Sequence, residues 1–146
     1  RAGIAQSMAG IMESKKNNTF GFVAFVSYGS FWLTLVALIV IPKFGWVPAA
    51  SSSAMIAYLV MWGIFTGLLF IGTLRSSRAL QFVFVTLTIL FFLLAFGESE
   101  AGASIKTFTG YEGIVCGASA IYAGIGALLN EVYGRTILPL GLINNK

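Results

Sequence analysis

Charged and polar residues fall in short clusters along this chain, and between them run long apolar blocks. No charge occurs between Lys16 and Lys43. At a rise of about 1.5 Å per residue, that block is long enough to cross a hydrocarbon core of roughly 30 Å. The same pattern recurs and predicts helices at about 19–41, 52–74, 79–96 and 110–133, with Pro42 ending the first of them. A shorter apolar segment, 1–12, reads as the end of a further helix, too short to span by itself. Polar turns separate the blocks at 13–18 and 75–78, a short loop at 43–50, and an acidic, Gly-containing loop at 98–109. Asn18 is placed to cap the helix that follows it, and Trp46 suits a membrane interface. The blocks do not alternate and are far longer than the roughly 9–11 residues of a barrel strand. The predicted class is therefore all-α, a polytopic transmembrane helix bundle, with 1–146 a single transmembrane domain.

Composition agrees. Hydrophobic residues make up 58% of the 146 and charged residues only 10%, against about 45–50% apolar and about 25% charged in soluble domains. The net charge is +4, and its basic residues are scattered in pairs and singles, which excludes nucleic acid as a partner. Their placement carries orientation. Lys15, Lys16, Arg75, Arg78, Arg135 and Lys146 lie on one side of the predicted spans, and Lys43 and Lys106 on the other. By the positive-inside rule the basic turns and the C-terminus are cytoplasmic. The chain begins within an apolar segment at Arg1 rather than with Met. It reads as a fragment lacking the first helix and part of the second, with five segments present of an expected six.

Enzymatic chemistry finds little support. There is no His and a single Cys, Cys116, which reads as a packing residue in an apolar helix. No metal-ligand spacing or phosphate loop is present, so no metal or cofactor is expected. The carboxylates Glu13, Glu98, Glu100, Glu112 and Glu131 are assigned to helix ends or loops. The distinctive polar feature is mid-span: Ser27, Ser30 and Thr34 share one helical face at i, i+3 and i+7, with Tyr28 on its edge. Such hydroxyls serve as helix–helix contacts, bond their own backbone, or line a path for a polar solute. The last helix carries Gly110, Gly113, Gly117, Ala120 and Gly124 at three- and four-residue steps, a stripe suited to close packing inside the protomer or between subunits, or to a smooth pore wall.

Several blocks resemble the acetate uptake transporter family, also called succinate–acetate permeases. They are Asn18-Thr19-Phe20-Gly21, Ala24-Phe25, residues 27–36, 70–74, 80–84 and 116–122, then Leu129-Asn130-Glu131, Gly134-Arg135-Thr136 and Leu138-Pro139. The family's N-terminal Asn-Pro-Ala-Pro-Leu motif is absent, and Arg1 stands where the family has an uncharged residue. The resemblance implies six helices with both termini inside, in agreement with the charge count. It also implies a homo-hexamer in the cytoplasmic membrane, with a pore for acetate, and succinate as a second substrate, in each protomer. Transport is channel-like or coupled to protons. Tyr28 and Leu87 align with two members of the family's aromatic–aliphatic constriction, and Ser27, Ser30 and Thr34 lie beside it. Gln6, Glu13, Gln81, Asn130 and Glu131 match family positions as polar or pore-mouth candidates. Gly113, Gly117, Ala120 and Gly124 remain packing candidates. The rival reading is a membrane scaffold or sensor subunit that transports nothing.

Overall fold

A computed structural model describes residues 2–143. Five α-helices follow in chain order: α1 (Ala2–Lys15), α2 (Thr19–Val40), α3 (Ser52–Thr73), α4 (Arg78–Gly97) and α5 (Lys106–Tyr133). Short 3-10 turns occupy Ile41–Phe44 and Glu100–Ile105. Among the described residues no helix-length run is replaced by strand, and α2 to α5 are each long and apolar enough to cross a membrane. The 22 residues of α2 and of α3 measure about 33 Å, and the 14 of α1 about 21 Å. The chain divides into two compact units, Arg1–Ser51 and Ser52–Lys146.

In the first unit, α1 and α2 form a hairpin held by glycine. A Cβ built on Gly3 would lie 2.7 Å from the Gly29 carbonyl oxygen, and one on Gly10 would lie 3.0 Å from the Val26 nitrogen. At Gly29 it would meet the Gly3 carbonyl at 2.7 Å and the Ser7 nitrogen at 2.9 Å. These neighbours are backbone atoms, so they cannot turn aside. The two helices touch main chain to main chain, the contact that small residues permit in a lipid setting. The turn between them is a Schellman motif. Asn18 N–H donates to Glu13 O (3.0 Å), Asn17 N–H donates to Ser14 O (3.1 Å), and Asn17 is left-handed at φ 57°. Asn18 then caps α2 through its side-chain oxygen, which accepts from Gly21 N at 3.0 Å. The helix thus continues three residues past the expected end at residue 12, because this turn satisfies its last carbonyls.

In the second unit α4 packs against both α3 and α5. Gly63 of α3 faces Phe91 and Phe92, whose atoms lie 3.2–3.3 Å from a built Cβ. Among the described residues the largest fully buried side chains, Thr66 and Thr73, are threonines, and Thr86 and Thr109 are buried, as are Leu59, Phe84 and Phe91. Each threonine donates its hydroxyl to a carbonyl of its own helix at 2.6–3.0 Å. The large apolar residues Ile64, Leu68, Phe82, Phe92 and Ile114 point outward, where acyl chains replace water.

The segment after α5 folds back as a strap. Tyr122 donates its hydroxyl to Pro139 O at 2.7 Å. Asn130 accepts from Ile137 N (2.7 Å) and Leu138 N (3.0 Å) and donates to Leu138 O (2.8 Å). Leu140 then crosses over Gly126, where any Cβ would be 2.6 Å from its Cδ2. Further along, Arg78 N–H donates to Gly141 O (2.9 Å) and Ala79 N–H to Leu140 O (3.0 Å). Leu80 N–H donates to Ser77 Oγ and Gln81 N–H to Ser77 O. The first three amides of α4, orphans in an isolated helix, are all paired, and Gln81 begins the regular helical ladder.

The expected boundaries shift at one place that matters. The loop assigned to 98–109 contains the 3-10 turn, and α5 begins at Lys106, four residues early. Glu112, expected at the very start of the helix, therefore lies a full turn further inside it. The reason is local: Thr109 donates its hydroxyl to Ile105 O at 3.0 Å, and no proline or left-handed residue interrupts residues 105–110.

Replacing Gly29 with Ala should destabilise the α1–α2 hairpin by on the order of 1–3 kcal/mol, read as a lower thermal midpoint in detergent. Asn130→Ala removes three strap bonds and should cost about 1–3 kcal/mol, with faster deuterium exchange at the Ile137 and Leu138 amides; unchanged exchange would refute the clamp.

Candidate functional site

The mid-span polar cluster lies on α2. Tyr28 is buried, as are Gly21, Ala24 and Phe31 at helical spacing, so its ring is packed rather than projecting into open space. Ser27 is half-buried, and Ser30 and Thr34 are exposed. Ser30 donates its hydroxyl to Val26 O at 2.9 Å. Thr34 Oγ1 lies 2.9 Å from Ser30 O and 3.0 Å from Phe31 O. Of the three uses of such hydroxyls, backbone bonding is the one seen for these two. With its proton turned inward, each presents lone pairs outward.

Leu87 is half-buried on α4, between buried Thr86 and half-buried Thr88. It belongs to the second unit and Tyr28 to the first.

The remaining polar candidates fall into two kinds. Glu13, Gln81 and Asn130 hold the chain together. Glu13 pairs with Lys16 at 3.8 Å and accepts from the Asn18 side chain. Gln81 donates to Thr73 O at 3.3 Å and accepts from Arg78 at 3.2 Å, tying the end of α3 to the start of α4. Asn130 is taken up by the strap. Among the described residues, Gln6, half-buried on α1, and Glu131, exposed near the end of α5, make no such tie. On the small-residue stripe, Gly113 faces Leu90 of α4 at 3.6 Å. Gly117, Ala120 and Gly124 are exposed, and nothing lies within 4 Å of a Cβ built on either glycine. Arg1 lies outside the described residues.

One group escaped the sequence reading. Both carboxylate oxygens of Glu112 are sealed from solvent and have no hydrogen-bond partner among the described residues, although the residue's stem is partly exposed. Cys116, one turn on, is buried beside the Thr86 hydroxyl. The signal was available: once α5 is started at Lys106, Glu112 is the one charge between the helix start and Glu131.

Comparison with known proteins follows from this framework. The chain is 55% identical over 139 residues to the succinate-acetate/proton symporter SatP of Escherichia coli K12, covering 95% of this chain and 74% of that protein. It is 33% identical over 138 residues to ammonia transport outward protein 2 of Saccharomyces cerevisiae, covering 88% of this chain and 49% of that protein. A solved structure described as the bacterial acetate channel SatP matches with a TM-score of 0.92 at 55% identity, over 95% of this chain and 77% of that one. The model of the GPR1/FUN34/yaaH family matches residues 1–140, and the chain belongs to that family.

Proposed function

We propose that this protein carries acetate, with succinate as a second substrate, across the cytoplasmic membrane, through a path in each protomer of a homo-hexamer. The observation that carries this reading is the 55% identity to a protein named as a succinate-acetate/proton symporter, together with a TM-score of 0.92 to a solved structure described as a bacterial acetate channel. The mid-span polar cluster Ser27, Tyr28, Ser30 and Thr34 is the part of the chain that a scaffold would leave unused. The basic turns at 13–18 and 75–78 and the C-terminus face the cytoplasm in this reading.

Two physical features favour it. No Lys or Arg lies inside α2, in α3, or beyond the first residue of α4 and α5, so a carboxylate meets no fixed cation deep in the span. That suits weak binding and rapid transit rather than tight occlusion. Ser30 and Thr34 turn lone pairs outward, so they accept hydrogen bonds more readily than they donate. A neutral acid brings its own donor and fits such a wall better than the bare anion. Tyr28 and Leu87 are the residues proposed to narrow the path, and dehydration there sets the barrier.

The test is uptake of labelled acetate into liposomes holding the full-length protein, with protein-free liposomes subtracting passive leak of the acid. Flux above that background, with or without an imposed pH difference, is expected; none would favour a scaffold or sensor subunit. Tyr28→Ala and Leu87→Ala should each change the acetate rate by about tenfold, the effect of ~1.4 kcal/mol on the barrier. Unchanged rates and selectivity in both would remove these residues from the path.

A further inference from the structure

We propose that Glu112 is the proton-carrying group of this transporter, an inference that rests on the transport reading above. Its two oxygens are sealed and have no donor among the described residues, within a helix long and apolar enough to span a membrane. An ionised carboxylate in that position would have neither water, nor a hydrogen-bond donor, nor a counter-charge, the least favourable setting for a charge in a membrane protein. The neutral acid has no such penalty.

The surroundings supply no alternative partner. Besides the strap, which lies on α5 from Tyr122 onward and so beyond Glu112, α4 and the Glu100–Ile105 turn pack on α5. Beyond Arg78 at its opposite end, α4 has no titratable side chain, and the turn brings only Glu100. On α5 itself, Lys106 is exposed and six residues away, which places it about 240° around the helix. Tyr111 is exposed. Cys116, on the same face one turn on, lies beside the neutral hydroxyl of Thr86. Glu112 is thus an isolated acid between Leu90-facing Gly113 and the loop that the charge count assigns to the outer side.

The step is a simple protonation. On contact with the outer solution the Glu112 carboxylate takes one proton and becomes the carboxylic acid; closure seals it in the arrangement seen here. When water reaches it again, one proton leaves and the carboxylate returns. If each cycle accompanies one acetate anion, anion and proton cross together and no net charge moves. No oxidant or reductant takes part.

Two measurements test this. The first compares acetate uptake into liposomes with and without an inward proton gradient, expressed as a ratio for each variant after subtraction of protein-free vesicles. Wild type should be stimulated, and Glu112→Gln, which keeps the shape of the neutral acid, should give a ratio of one. Equal stimulation in the variant would overturn the proposal. The second uses wild-type protein alone, so it does not depend on the variant folding. A hydrophobic carbodiimide, which modifies protonated carboxyl groups, should label Glu112, with less adduct as pH rises. Absence of adduct at every pH would overturn the proposal even if uptake were seen. Should wild type show no flux, the transport reading fails and the carrier role of Glu112 with it; flux without pH-dependent labelling of Glu112 overturns the Glu112 assignment alone.

Discussion

Backbone amides and carbonyls in hydrocarbon have no water to bond, and each one left unpaired costs several kcal/mol. Helices answer this in their interiors but not at their ends. Much of what is distinctive in this chain is the solution at those ends. Asn17 and Asn18 close one helix and open the next within a single turn. The start of α4 borrows two carbonyls from the strap and the hydroxyl oxygen of Ser77.

The same solvent reverses the usual economy of the interior. Large apolar side chains gain little by leaving lipid, so many remain outside, and the tightest helix contacts are made by what is small or self-satisfied. Gly3, Gly10 and Gly29 bring two backbones together in the first unit. Thr66, Thr73 and Thr86 fill the second with hydroxyls already bonded to their own helices. Against this background a sealed carboxylate is conspicuous, because it alone among the enclosed acids lacks local compensation among the described residues.

The existence of the helices was legible, because charge-free runs of membrane length have few other solutions. Asn18 as a cap and Cys116 as a packing residue were legible for local reasons as well. What was not legible is non-local or conformational. The strap pairs Leu140 and Gly141 with Arg78 and Ala79 across the whole of α5, and no spacing in the sequence announces that. The start of α5 at Lys106 was hidden by an acidic, glycine-bearing stretch that resembles a loop yet winds into a 3-10 turn, so Glu112 was read as a helix-end group although it lies a turn further in. Spacing put Ser30 and Thr34 on a face but did not tell which way their protons point. Tyr28 drew notice through its polar cluster, whereas Leu87 was singled out by family resemblance alone, and its half-buried place on α4 would not have distinguished it.

The strap also bears on how the protein is made. The first two amides of α4 find their partners only after α5 has been synthesised and the segment beyond it has left the ribosome. Until then α4 must wait in the insertion machinery or at the bilayer surface with an open end. Completion of the second unit is therefore a late event in biogenesis, and a translational arrest inside α5 would leave a nascent chain whose helices exist but whose α4 cannot yet be closed.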